Sequence, residues 1–136
     1  MVKLYDENRD IKLNFSKFVK ISFYLGLLHF ICENVFHLIW GQFLPMLLVD
    51  YCASLLLFYA CYESNKNKLY SLGIFCGGWG FSFCNFYRSF FGRIEIYLDG
   101  HEVQFFAVVY TGIFMLISAV LLGYSFWFMK KNIKGT

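Results

Sequence analysis

The stretch VQFFAVVYTGIFMLISAVLLGYSFWFM, residues 103–129, decides the fold, because it runs for 27 residues without a charged side chain. An α-helix needs about 20 mostly apolar residues to cross a bilayer core about 30 Å thick. Three further segments have the same length and character: residues 21–40, 43–62 and 69–91. The sequence therefore predicts an all-α integral membrane protein, a bundle of four transmembrane helices.

The composition supports this interpretation. Hydrophobic residues make up 59% of the 136-residue chain and charged residues only 15%, whereas about 25% of residues are charged in soluble domains. The four spans leave no room for a soluble domain, so residues 1–136 are predicted to form a single membrane domain. Residues 1–20 are predicted to be an arm that is either flexible or amphipathic, with Phe15 and Phe18 in an apolar stripe on the membrane surface.

Lysine and arginine are distributed unequally between the connections, which predicts the orientation of the bundle. Ten of them lie in the arm, the second connection and the C-terminal tail, against Arg93 alone in the opposite connections. Both termini are therefore predicted to be cytoplasmic, in a multi-pass protein of the plasma membrane, or of the inner membrane in a bacterium. The segment GRIEIYLDGHEV, residues 92–103, is predicted to be a solvated outer connection. The alternative is that it caps a site beneath it or forms a docking surface for a partner protein.

Polar residues interrupt the predicted spans at similar depths. At 1.5 Å per residue, Glu33, Asp50 and Asn85 lie about 10 Å below the outer edge of the core. His37 and Arg88 lie nearer to that edge, and His29 lies about 16 Å deep. An ionisable residue in hydrocarbon costs about 2.5 to 3.5 kcal/mol, so such residues usually face the bundle interior. The sequence predicts an outward-side ligand-binding pocket formed by His29 at its floor, Glu33, His37, Asp50, Asn85 and Arg88.

The predicted function of this pocket is the binding of a small or lipid-like ligand. The set holds two carboxylates and one permanent cation, Arg88, placed between them, so a ligand, a proton or a histidine cation must balance the charge. An ion-paired cluster that only fixes helix register is the structural alternative.

Two other functions stay open. The protein is alternatively a membrane-embedded enzyme that acts on a lipid-like substrate by acid–base chemistry, in which case Glu33, Asp50 and His37 are the catalytic residues. It is otherwise an accessory subunit of a larger membrane complex or transporter. The expected partners are the lipid bilayer, the ligand, and either a second copy of the chain or another membrane protein. Basic residues form no single patch, which argues against nucleic acid as a partner.

No metal or other cofactor is assigned from the sequence, although a metal-assisted enzyme would have candidate ligands. A histidine and a carboxylate four residues apart on a helix can share one ion, and Asp50 would supply a third ligand. His29 and His37 lie about 12 Å apart along the helix, too far to bind the same ion. The candidate sets are therefore Glu33, His37 and Asp50, or His29 with Glu33.

The His29-x3-Glu33 pair resembles the histidine and glutamate pair of the emopamil-binding-type sterol isomerases, which are also small helical membrane bundles. The resemblance covers these few residues, and Asp50 follows after a shorter loop than the next acidic residue of that family. It implies acid–base chemistry on a lipid-like substrate, in agreement with the enzyme alternative.

Small residues recur at three- and four-residue steps in the third span, at Gly73, Gly77, Gly80 and Cys84. Small side chains let helix backbones approach closely in lipid. This stripe is therefore predicted to be the packing face of the third helix.

Overall fold

In the computed structural model the chain folds into four α-helices: α1 Val2–Trp40, α2 Leu44–Glu63, α3 Lys68–Leu98 and α4 Phe105–Lys134. The structure describes the backbone of residues 2–41 and 44–134, and the side chains of residues 14–39, 41, 44–67 and 69–132. Helices that are consecutive in the chain pack against each other. Over these described residues the protein is all-helical, as predicted.

Within the described residues, three segments are long and apolar enough to cross a membrane: Asn14–Ile39, Leu44–Glu63 and Phe105–Asn132. Large apolar side chains cover their outer surfaces, and Leu38, Leu55 and Leu116 are each at least 60% exposed. Such a surface is suited to lipid and not to water. The helix α3 does not share this continuous apolar character, because Asn85, Arg88 and several glycines and serines interrupt it.

The helix α1 is continuous from Val2, so its backbone shows no break between the predicted arm and the first span. Phe15 and Phe18 are both buried, at 7% and 4% exposed. The ring of Phe15 packs edge-on against Phe128, and the ring of Phe18 packs edge-on against Phe75. These two residues therefore face the bundle instead of forming a stripe on the membrane surface, because α4 and α3 extend far enough to cover them.

The end of the bundle that contains Phe15 and Phe18 has a mainly apolar interior, hereafter the aromatic core. Two polar contacts between helices lie within it: the indole N–H of Trp79 donates to the hydroxyl of Ser22 at 3.2 Å, and the thiol of Cys61 donates to Val19 O at 3.5 Å. The buried members of the core are Phe15, Phe18, Leu57, Ala60, Leu72, Phe75, Trp79, Leu121 and Phe128. Packing in the aromatic core fixes the four helices relative to one another at this end of the bundle.

Among the glycines of α3, Gly78 is the one that packs tightly against α2, and it is not a member of the predicted small-residue stripe. A Cβ atom at this position would lie 2.9 Å from Leu57 Cδ2, whereas a Cβ at Gly73 or Gly77 would meet nothing within 4 Å. Gly73, Gly77 and Cys84 are exposed. The fourth member, Gly80, is half-buried, and a Cβ there would lie 3.9 Å from Leu122 Cδ1 of α4. The prediction that this stripe packs against a neighbouring helix was therefore wrong for Gly73, Gly77 and Cys84, because spacing identifies a face without saying what the face contacts.

The helix α3 extends to Leu98, so the predicted outer connection is largely helical. Gly100 follows with a φ of +85°, its N–H donates to Tyr97 O at 3.1 Å, and the next N–H donates to Ile96 O at 3.2 Å. This is the Schellman arrangement, in which a glycine in the left-handed region ends the helix. The true connection is residues 99–104, and Arg93 lies on the last turns of α3.

The helix α1 ends in a related way at Gly41, which has a φ of +69° and whose N–H donates to His37 O at 3.0 Å. A glycine is favoured here because an L side chain is strained at such a φ. Pro45 lies in the first turn of α2, where a missing N–H costs no hydrogen bond. The reversal brings the end of α1 back alongside α2 and so places Glu33 opposite Asp50.

Candidate functional site

Three ionisable side chains converge between α1 and α2: His29 and Glu33 from α1, and Asp50 from α2. They are 3%, 7% and 3% exposed. His29 Nδ1 lies 3.7 Å from Glu33 Oε1, and His29 Nε2 lies 3.7 Å from Asp50 Oδ1. One ligand atom from each residue lies within 4.8 Å of the other two. These three residues are hereafter the carboxylate cluster.

Each carboxylate of the cluster accepts a hydrogen bond from a helix other than α1 and α2. The amide of Asn85 on α3 donates to Asp50 Oδ1, and the hydroxyl of Tyr110 on α4 donates to Glu33 Oε1 at 3.4 Å. The cluster therefore connects all four helices, although its three charged residues come from only two. Asn85 had been predicted to belong to the site, whereas Tyr110 had not.

Aromatic rings enclose His29 on the side of α3 and α4. Its imidazole lies 4.9 Å from the ring of Phe86 and 6.1 Å from that of Phe114, measured between ring centres. On the opposite flank, Tyr51 of α2 donates a hydrogen bond of 2.7 Å to Asn34 Oδ1 of α1. These contacts fix the separation of α1 and α2 and the orientation of the histidine ring.

A cavity of about 540 Å³ extends from the carboxylate cluster toward the connection between α3 and α4. Glu33, Asp50 and Asn85 lie at its inner end, and all four helices supply its walls. The remaining described residues around it are Phe36, Met46, Phe86, Arg88, Ser89, Gly92, Arg93, Ile96, Glu102, Val103, Gln104, Ala107, Tyr110 and Thr111. This polar cavity has the size of typical small-molecule sites and their combination of apolar walls with a few polar groups.

Two arginines lie along the polar cavity, and they differ from the prediction. Arg88 is exposed and lines the cavity without being placed between the two carboxylates. Arg93 is half-buried, its guanidinium donates to Ser89 O at 3.0 Å and to the Ser89 hydroxyl, and its charge interacts with that of Glu33. Arg93 was missed because residues 92–103 were predicted to be a loop. Its spacing from Asn85 and Ser89, at four-residue steps, would have placed it on the cavity face of α3.

Both His29 and His37 were predicted to belong to the pocket, but His29, which is part of the carboxylate cluster, is not among the described residues that line the polar cavity. His37 is half-buried and is not among the described residues that line the polar cavity. The candidate metal set of Glu33, His37 and Asp50 is therefore replaced by His29, Glu33 and Asp50. Residue counting had placed His29 about 6 Å deeper than Asp50, roughly one helical turn. Such counting assumes straight helices that start at one plane, and a stagger of one turn is enough to remove the difference.

A second hollow, of about 720 Å³, lies between α1 and α4 at the end that holds the aromatic core. Its walls are mainly apolar, with Phe18, Leu121 and Trp127 among them and Lys17 at its margin. No group of ionisable residues converges there within the described part of the chain. The polar cavity is therefore the candidate site, since specificity requires a few converging polar groups.

The carboxylate cluster contains hydrogen-bond acceptors, three residues that could bind a cation, and groups that can exchange protons. Carboxylates and imidazole perform all three tasks in proteins, as hydrogen-bond acceptors, metal ligands and acid–base groups. Buried carboxylates in a helical bundle that contacts lipid are costly unless a partner compensates them.

An all-helical bundle with three helices suited to crossing a membrane defines the class of this chain as a membrane-embedded helical protein. Comparison with models of protein families, with curated proteins and with solved structures returned no match to it.

Proposed function

We propose that the protein crosses the membrane four times and binds a small or lipid-like ligand in the polar cavity. The observation that carries this proposal is a cavity of about 540 Å³ whose inner end holds two buried carboxylates and whose walls include Phe36, Phe86 and Ile96. A ligand with a polar group and an apolar body matches that distribution.

The packing order supports a fourth span. The helix α3 packs against both α2 and α4 and joins the end of one to the start of the other. If α2 and α4 both cross the membrane beside it, α3 must carry the chain back across. Its polar residues are then acceptable, because Asn85 hydrogen bonds to Asp50 in the bundle interior.

The orientation with both termini in the cytoplasm follows from the basic residues. Arg93 lies on α3, so residues 99–104 contain no lysine or arginine, whereas the tail after residue 129 and the turn at residues 64–68 contain several. A reporter enzyme that is active only outside the cytoplasm is expected to be active when fused after Gly100. A fusion after residue 66 is the control and is expected to be inactive. The reverse result would overturn the orientation.

The ligand chemistry follows from the charges around the cavity. Its inner end presents Glu33 and Asp50, so the buried part of a ligand is expected to be a hydrogen-bond donor or a cation. Arg88 and Arg93 lie along the wall and suit a second group on the ligand that is acidic or carries a carbonyl. The apolar body of the ligand would lie between them, against the aromatic rings.

The proposal is tested by filling the cavity without changing a polar residue. Gly92 lines the polar cavity, and a Cβ atom there would meet nothing within 4 Å. The Cβ of Gly92→Leu is therefore accommodated, and the rest of its side chain extends from the cavity wall. Gly77→Leu is the matched control, because Gly77 lies on the same helix, is exposed, and also has nothing within 4 Å of an added Cβ.

The measurement is native mass spectrometry of gently extracted protein, followed by chemical analysis of any bound molecule. Wild type and Gly77→Leu are expected to carry the same small or lipid-like molecule, and Gly92→Leu is expected to lose it. Equal occupancy in all three proteins would overturn the proposal, and so would wild-type protein that carries no such molecule.

A further inference from the structure

The carboxylate cluster contains an unsatisfied imidazole. His29 is 3% exposed, and among the described residues neither of its ring nitrogens has a hydrogen-bond partner. Buried polar side-chain atoms are hydrogen-bonded in the large majority of cases, so each exception needs a physical explanation. The two nitrogens face Glu33 and Asp50 and yet stay 3.7 Å from both carboxylates.

These distances do not fit a protonated histidine held between two anions. A charge-assisted N–H···O bond closes to about 2.7 to 2.9 Å, which is clearly shorter than the 3.7 Å separations found here. One ligand atom from each of the three residues can still be placed around a common point, because these atoms lie within 4.8 Å of one another. In tetrahedral coordination with bonds of about 2.0 to 2.1 Å, two ligand atoms lie about 3.3 Å apart. An ion binds only one nitrogen of the His29 ring, so one of the two 3.7 Å separations is a distance between ligand atoms, and it exceeds that value by a few tenths of an ångström.

We propose that His29, Glu33 and Asp50 bind one divalent transition-metal ion, for which zinc is the best match to one imidazole nitrogen and two carboxylate oxygens. The charge supports this assignment. Two buried carboxylates carry two negative charges, and a divalent ion neutralises them within the site. Arg93 acts on Glu33 from a distance, while its hydrogen bonds go to Ser89.

The hydrogen bonds around the cluster match those of a metal site. Ligating carboxylates are commonly held by further hydrogen bonds, which orient them toward the ion. Asn85 does this for Asp50, and Tyr110 does it for Glu33. A carboxylate oxygen has two lone pairs, so an oxygen that accepts a hydrogen bond can also bind the ion.

Glu33 and Asp50 also line the polar cavity, which gives an ion a route to the cluster and leaves room for a fourth ligand. Three protein ligands with one open position are characteristic of sites at which a zinc ion meets a small molecule. The metal site goes beyond the proposed ligand function and does not depend on it, since the cluster is complete without any ligand in the cavity. With the ion bound, Glu33 and Asp50 contact the ion, and the inner group of a cavity ligand would bind its open position instead of the carboxylates.

The test uses full-length protein without a histidine tag, purified in detergent, stripped with a chelator and titrated with zinc chloride against a chromophoric zinc indicator. Wild type is expected to bind one ion per chain. His29→Gln is expected to weaken binding by more than about 100-fold, and Asn85→Leu by about 10- to 100-fold. His37→Gln is the matched control on the same helix and should change affinity less than about threefold, because His37 is outside the cluster.

X-ray absorption spectroscopy of the zinc-loaded wild type tests the site without relying on a variant that folds correctly. It should show one imidazole nitrogen and oxygen ligands at about 2.0 to 2.2 Å. A spectrum without imidazole, a wild-type stoichiometry well below one, or equal affinity in wild type and His29→Gln would overturn the metal site. Gly92→Leu should retain zinc and lose the cavity ligand, so failure of the metal site and failure of the ligand proposal are distinguishable.

Discussion

Removal of the Phe75 ring tests how much packing stabilises a bundle whose surroundings are already apolar. Phe75 is fully buried, and its ring meets that of Phe18 edge-on at 4.9 Å and 70°. In a water-soluble core, Phe→Ala costs about 3 to 5 kcal/mol, of which about 1.5 to 3 kcal/mol is transfer of the side chain out of water. In lipid that transfer contributes little, because the unfolded helix stays among acyl chains. The packing part remains, about 2 kcal/mol, which includes the aromatic pair.

The assay is reversible unfolding in mixed micelles as the fraction of denaturing detergent rises, followed by far-UV circular dichroism. Phe75→Ala should lower the folded-to-unfolded ratio by about 30-fold. Phe81→Ala is the control on the same helix, where the ring is 42% exposed, and should cost less than about 0.5 kcal/mol. Equal losses for the two variants would refute the aromatic core, and a loss above about 4 kcal/mol for Phe75→Ala would refute the apolar surroundings.

Three further outcomes are expected in the same unfolding assay. Gly78→Ala should leave the bundle less stable than Gly77→Ala by about 1 to 3 kcal/mol, because the Cβ at position 78 would lie 2.9 Å from Leu57 Cδ2, whereas the Cβ at position 77 would meet nothing within 4 Å. Both variants gain up to about 1 kcal/mol through helix propensity, so similar effects at the two sites would contradict the packing at Gly78. Tyr51→Phe should cost about 0.5 to 1.5 kcal/mol, since it removes the 2.7 Å hydrogen bond to Asn34, and an unchanged midpoint would show that the bond adds nothing. Gly100→Ala should cost about 1 to 2 kcal/mol, because its φ is +85°, and faster amide exchange at the end of α3 would confirm where the strain acts.

Helix number and the helical character of each span could be predicted from apolar segment length, because backbone groups in lipid must be satisfied within a helix. The second span illustrates the accuracy, with residues 43–62 predicted and Leu44–Glu63 found. The convergence of Glu33, Asp50 and Asn85 was also predicted, because the cost of a polar group in hydrocarbon directs it to the interior.

The positions of the arginines and of His29 could not be predicted from residue counts. The end of α3 depends on Gly100, whose left-handed conformation stops the helix several residues beyond the last apolar run. A helix boundary placed too early left Arg93 in a loop and made Arg88 the apparent partner of the carboxylates. The inclusion of His29 depends on how α1 and α2 are staggered, a property of packing and not of either sequence segment alone.

The packing face of α3 shows the same limit. Gly73, Gly77 and Cys84 have the periodicity of a contact surface, yet they are exposed, whereas Gly78 next to them lies against Leu57. Adjacent helical residues point about 100° apart, so the sequence offers both faces equally. Only the position of the neighbouring helix distinguishes them.

Because α1 is one continuous helix, a change in its tilt at one end of the bundle also moves its residues at the other end. Phe15 in the aromatic core and His29 in the carboxylate cluster are 14 residues apart on it, or about 21 Å. A tilt of this helix leaves the separation of His29 and Glu33 unchanged, since both move with it, and alters the separation of His29 and Asp50, which belongs to α2. Loosening of the packing around Phe15 would therefore change the 3.7 Å distance between His29 Nε2 and Asp50 Oδ1.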